Sequence, residues 1–116
     1  MPLSAKARVE IYLPDLPNAI YTDVLTTFSR EFTSAFGGCT IVKGLEGSYL
    51  SQGGQVISDR INLIYTDTPF GFEENFEAVS DYADALRQAT DAALEEEAIL
   101  VAVAQVFHSE KPGGAS

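Results

Sequence analysis

Polar and apolar positions alternate from Arg8 to Leu13: Val9, Ile11 and Leu13 fall on one side, Arg8, Glu10 and Tyr12 on the other. That is the period of a half-buried strand. Pro14 ends it, and Asp15 is placed to cap a helix with Pro17 in its first turn, where a missing N–H costs nothing. The period then changes. Ile20, Tyr21, Val24, Leu25, Phe28, Phe32 and Phe36 recur at helical spacing, and Gly37 is placed to close the helix in a left-handed cap. Cys39 to Gly44 is rich in β-branched residues and reads as a second strand, Gln55 to Thr66 as a third. Gly53-Gly54 marks the hairpin between them, while Gly44 and Gly47 interrupt the second strand as bulges or bends do.

Ile57, Asp59, Ile61, Leu63 and Tyr65 share one face of the third strand, so Arg60 and Asn62 are expected opposite, beside Tyr12 or Glu10. Asp67-Thr-Pro-Phe-Gly71 reads as a loop. A long helix is expected from Glu73 to Glu97, with Phe76, Val79, Ala83, Leu86, Thr90 and Ala93 as its buried stripe. Its acidic residues lie mostly off that stripe. Glu95-Glu96-Glu97 at its end oppose the helix dipole. Ile99 to His108 is the last strand.

The order β-α-β-β-α-β predicts an α+β, ferredoxin-like plait: four antiparallel strands with two helices on one face. Residues 1–110 form a single domain, and 111–116 (KPGGAS) a flexible tail. In such a plait the helices cover one sheet face only. The last strand is nevertheless apolar on both sides: Ile99, Val101, Val103 and Phe107 on one, Leu100, Ala102, Ala104 and Val106 on the other. This predicts a homo-oligomer, dimer or trimer, joined through the bare sheet face, with Tyr12, Val42, Tyr49 and Ile64 as further members of that face.

Composition narrows the partners. Seventeen acidic residues against seven basic ones give a net charge of −10, which opposes binding to nucleic acid or to an anionic membrane. No apolar run reaches the roughly 18 residues that span a bilayer, and the N-terminus has no signal-peptide pattern. With Cys39 as the single cysteine no internal disulfide can form, and a cytoplasmic location is expected.

Gly37 to Val56 holds six of the nine glycines. It has neither GxxxxGK[ST] nor a GxGxxG opening a helix, so turning the chain is its expected task rather than cradling a phosphate. If it serves recognition, Lys43, Glu46, Tyr49 and Leu50 are the contact residues of a mobile segment over 46–54. The weak catalytic candidates are His108, Asp59, Arg60 and Tyr65. His108 is the one histidine and would need a partner such as Asp59, Glu10 or Tyr65 to act as a base. Asp59, on an apolar face, should be paired or take a nearby turn N–H. One Cys and one His at distant positions do not make a metal site, the spaced acidic loop of a Ca²⁺ site is lacking, and no cofactor is expected.

The segments GGCTIVKGLEG and RINLIYTDTP resemble the second strand and the start of the long signalling loop in PII-type regulatory proteins. The resemblance implies a trimeric plait that binds nucleotide in clefts between subunits. The PII pattern has basic residues near the second helix and last strand that hold the phosphates. Here those regions offer only Arg87 and Lys111, so no nucleotide-binding residue carries over. The GGxT after the first helix is also similar to small bacterial plait proteins. The expected function is thus an oligomeric binding or regulatory module for a small molecule or a protein. The alternative is a small cofactor-independent plait enzyme, monooxygenase-like or isomerase-like.

Overall fold

The computed structural model describes residues 3–94 and 99–109. The acidic run Glu95–Glu97 and the 111–116 tail lie outside them. The chain forms β1 (Leu3–Pro14), α1 (Ala19–Phe36), β2 (Thr40–Leu50), β3 (Val56–Gly71), α2 (Phe76–Leu94) and β4 (Leu100–Ser109). The four strands make one antiparallel sheet in the order β2-β3-β1-β4. This is the ferredoxin-like plait that the alternation of periods predicts.

Strand β1 lies in the middle and is the spine of the core. Ala7, Val9, Ile11 and Leu13 are buried beneath the helices, with Ile64 of β3 and Ile99 just before β4. Helix α1 contributes Val24, Leu25, Phe28 and Phe32; α2 contributes Val79, Ala83, Leu86 and Thr90. Those are the expected stripes without their ends: Ile20, Phe76 and Ala93 are exposed. An aromatic chain joins the two helices to the sheet: Phe36 packs against Phe32 and, edge to face, against Phe70 and Tyr82.

Four expectations need correction. Helix α1 is capped by Asn18, whose Oδ1 accepts from the Ile20 amide at 3.0 Å, and not by Asp15. Asp15 instead donates its backbone N–H to the Arg60 carbonyl, 2.8 Å away, tying the β1–α1 junction to β3. Gly37 does close the helix, at φ 91°, with its N–H on the Thr33 carbonyl.

Second, β2 runs to Leu50, so Glu46 to Leu50 are paired strand and not a mobile excursion. Gly44 is the reason the strand survives its glycines. At φ 73° it forms a bulge that shifts the register between Val42 and Leu45, and its N–H donates to Asn62 Oδ1 at 3.1 Å. Pairing then resumes. The hairpin closes at Gly54, φ 82°, where the glycine pair points.

Third, Asp67 to Gly71 is strand and not loop, with Asp67 opposite Arg8 and Gly71 opposite Lys6. Pro69 lacks an N–H, and the β1–β3 pairing shifts between Lys6 and Arg8. The Thr68 hydroxyl bridges that irregularity, donating to the Ala7 carbonyl at 2.8 Å and accepting from the Phe70 amide at 3.2 Å.

Fourth, the faces of β3 are the reverse of the expectation. Leu63 pairs with Tyr12 and Asn62 with Leu13. Residues directly opposite share a face. Ile57, Asp59 and Ile61 therefore lie with Tyr12 and Glu10, and Arg60 and Asn62 lie on Leu13's side. Ile64 belongs to the core, fully buried, and not to the bare face.

The molecule is elongated, 54 × 29 × 26 Å. Its radius of gyration, 16.0 Å, exceeds the roughly 13 Å of a compact chain of this length. The excess lies in β2 and β3. Strand β1 ends opposite Ile61, so beyond the Asp15–Arg60 tie residues 56–60 pair with 46–50 and form a two-stranded arm.

Candidate functional site

Two surfaces stand out, and both follow from the strand pattern. The first is the sheet face away from the helices. On β4 it carries Leu100, Ala102, Ala104, Val106 and His108, opposite Tyr12, Glu10, Arg8, Lys6 and Ser4 of β1. On the other side of β1 it carries Leu63, Tyr65 and Asp67, then Val42 and Thr40 of β2. An apolar strip thus flanks a charged central row. Leu100 is more than half exposed, while most of the strip is half-buried by its neighbours.

The central row is internally paired. Arg8 meets Asp67 through two bonds, Nε to Oδ1 at 2.6 Å and Nη2 to Oδ2 at 3.2 Å, the fork geometry that strengthens such a pair. The guanidinium also lies over the Tyr65 ring, 4.2 Å from its centroid. The hydrogen bond to Asp67, with the charges of Asp67, Tyr65 and Glu10, raises the Arg8 pKa against the opposing effect of burial. Tyr12 donates its hydroxyl to Glu10 at 3.2 Å, and burial followed by the Glu10 charge pushes the Tyr12 phenol up. Sequence reasoning assigned Arg8 and Asp67 no role. Their shared parity with Glu10 and Tyr65 was visible, but Asp67 was assigned to a loop.

The second surface is the arm. Leu45 at its root and Tyr49, Leu50 and Val56 on it are exposed, the last two by 70% and 72%. An isolated two-stranded hairpin is marginal in water, and this one carries apolar side chains outward. At the arm's base a cleft of about 610 Å³ is lined by Asp15, Glu46, Gly47, Ser48, Ser58, Asp59 and Arg60. Three of those residues are acidic and one, Arg60, is basic. Arg60 stands 3.8 Å from Asp15, a weak and exposed contact.

The structure regroups the residues singled out in the sequence. Glu46 and Arg60 are ladder partners on one face, and Asp59, paired with Gly47, lies on the other; all line the cleft at the arm's base. Asp59 satisfies itself locally, accepting from the Arg60 amide at 2.8 Å. Tyr65 lies further along β3, opposite Glu10, and holds Arg8. His108 pairs with Ser4 at the far end of β1, whereas Arg60 meets Asp15 just past the near end. At about 3.3 Å per residue the two ends are roughly 35 Å apart. His108 therefore does not join Asp59, Arg60 or Tyr65 within one chain. Lys43 sits exposed in the bulge, and Tyr49 and Leu50 lie near the arm's tip. Cys39 packs against the core, its sulfur 3.4 Å from Ser29 Oγ. Among the described residues no group of side chains has the makings of a metal site, and no helix is long and apolar enough to cross a membrane.

Against this geometry the comparisons with known proteins can be set. No family's sequence profile matches the chain, and no curated protein matches its sequence. Solved structures do match. A phage SAM lyase in its apo state superposes with a TM-score of 0.60 at 15% identity, over 97% of this chain and 94% of that one. The divalent cation tolerance protein CutA1 of Thermus thermophilus gives 0.54 at 18%, over 88% and 84%. CPII, a nitrogen regulatory PII-like protein of Thiomonas intermedia bound to ADP, AMP and bicarbonate, gives 0.50 at 18%, over 94% and 100%. The likeness is one of fold. It places the plait beyond doubt and agrees with the PII resemblance of GGCTIVKGLEG and RINLIYTDTP, while identities this low carry no activity across.

Proposed function

We propose that the protein is a homo-oligomeric binding module, dimer or trimer, whose copies meet through the bare sheet face and the arm. The observation that carries this reading is the strip Leu100, Ala102, Ala104 and Val106 on a face with no helix over it. Covering that strip removes apolar area from water. The internally paired Arg8–Asp67 row fits such burial, because a charge enters an interface cheaply only with its partner in place. A ligand, small molecule or protein segment, is received in the cleft at the arm's base, beside the Glu46–Arg60 pair; a neighbouring copy would help to wall it. CPII's ADP and AMP belong to that protein. Here the three carboxylates of the cleft oppose a polyphosphate, so ATP and ADP should bind no tighter than about 1 mM in calorimetry. The enzyme reading has less support, since its candidate residues stand apart along the sheet. A single thiol, Cys39, suits the cytoplasm.

Solution mass tests the assembly. The wild type should scatter as at least a dimer at tens of micromolar. Ala102→Asp places a carboxylate opposite Glu10 on the bare face and should release folded monomers. Val103→Asp faces the helices beside Val9 and should unfold the chain, because a buried unpaired carboxylate is costly. A monomeric wild type, or an Ala102→Asp protein of unchanged mass, would refute the assembly.

A further inference from the structure

Another cavity, of about 170 Å³, lies on the helix side of the sheet, where the end of α1, the end of β3 and the first turns of α2 meet. Its wall is Phe36, Phe70, Asn75, Ala78, Val79 and Tyr82. Neither the bare face nor the arm reaches it, so the proposed assembly leaves it open. Three aromatic rings form most of that wall. Phe36 stands nearly perpendicular to the other two, with centroids 6.1 Å from Phe70 and 5.5 Å from Tyr82. Phe70 is 44% exposed at the mouth, a large apolar side chain left partly in water. An apolar cavity of about 150 Å³ is known to hold a single benzene ring, which sets the size of the occupant.

The polar atoms set its chemistry. The Tyr82 hydroxyl and Glu31 Oε2 are both buried and both lack a hydrogen-bond partner. Most buried polar atoms have one, so both oxygens are open to a donor. Glu31 lies on α1, five residues before Phe36, close enough for its charge to act on the Tyr82 phenol. A carboxylate oxygen only accepts, and a tyrosine hydroxyl can accept as well. A primary ammonium offers three donors and the opposite charge to Glu31. The net charge of −10 favours a cation over an anion.

We propose that this pocket binds a compact aromatic amine, with one ring among Phe36, Phe70 and Tyr82 and the ammonium toward Glu31 and the Tyr82 hydroxyl. The ring supplies apolar contact and edge-to-face packing, and the amine satisfies the two orphaned oxygens.

Benzylamine is the probe, followed by two-dimensional NMR on the whole protein, with toluene and benzoate as the neutral and anionic counterparts. Benzylamine should shift the resonances of Phe36, Phe70, Val79 and Tyr82 and saturate with a Kd of about 1 mM, as expected for so few atoms. Benzoate should bind at least roughly ten-fold more weakly, the size of one charged hydrogen bond. Glu31→Gln should lose that same ten-fold for benzylamine and leave toluene binding unchanged. Tyr82→Phe, read in the same way, serves if the first variant does not fold. Ala78→Leu, on the exposed side of α2, should fill the pocket and abolish the shifts while the rest of the spectrum stays put. Absence of saturable shifts at these residues, equal affinity for benzoate, or benzylamine binding indifferent to both Glu31→Gln and Tyr82→Phe would each overturn the assignment. The last result would mean that an internal water already satisfies both oxygens.

Discussion

Replacing Thr68 by valine should destabilise the fold far more than the loss of one oxygen atom suggests. The side chain is 1% exposed, and valine keeps its shape. What goes is the hydroxyl, which donates to the Ala7 carbonyl and accepts from the Phe70 amide where β1 and β3 fall out of register. Each backbone group deprived of a buried partner costs about 1–3 kcal/mol, so the pair sums to about 2–6 kcal/mol. With a urea m-value of about 1.5 kcal/mol/M, the unfolding midpoint should fall by about 1.3–4 M. Thr66→Val is the internal control. Thr66 is equally buried but makes one such bond, to the Gly38 carbonyl at 2.7 Å, so about half the loss is expected. Thr68→Ser retains the hydroxyl and should recover most of the stability. Urea titrations at one fixed protein concentration would measure all three, since assembly makes apparent stability concentration-dependent. A Thr68→Val loss below about 0.5 kcal/mol would show that the backbone alone holds the irregularity.

Two further outcomes follow from particular residues. Gly44→Ala forces a side chain into the left-handed region at φ 73° and brings its Cβ to 3.0 Å from Arg60 Nη2, so chemical denaturation should show a loss of about 1–2 kcal/mol; an unchanged midpoint would mean the bulge relaxes freely. Burial, and then the Glu31 charge, raise the Tyr82 pKa to about 12, so in an ultraviolet titration of the folded protein one of the five tyrosines should ionise near there. Because the folded state holds this proton more tightly than the unfolded one, its contribution is complete below pH 10 and fades as the pH rises to about 12; Tyr82→Phe should flatten that part of the stability profile.

The architecture was legible because periods of two and 3.6 changed cleanly at Pro14 and Gly37, and the Gly53-Gly54 pair marked a turn between two strands. Strand lengths were not. Gly44 and Pro69 both punctuate a sequence, yet here each sits where the ladder bends and continues, held by Asn62 Oδ1 in one case and the Thr68 hydroxyl in the other. Side-chain bonds between residues distant in sequence leave no local pattern to read. The helix cap was missed for a related reason: Asp15 and Asn18 are both good caps, and the choice fell to the tie between Asp15 and the Arg60 carbonyl. Of the candidate site, the apolar strip of β4 was visible as two-sidedness. The pairing of Glu46 with Arg60 was not, because it depends on a register that the bulge at Gly44 resets.

The strand order β2-β3-β1-β4 also has a consequence for synthesis. Strand β1 is made first and sits in the middle, but its partner β4 comes last: Ile11 pairs with Val101, 90 residues later (101 − 11 = 90). At about 5–20 residues per second the emerging chain waits roughly 5–20 s before β1 can be enclosed on that side. Through that interval the Ala7-to-Leu13 spine can be covered by α1, β3 and then α2, while one edge of β1 stays open to any passing strand. A ribosome pause within β4 would prolong the wait at its most hazardous point.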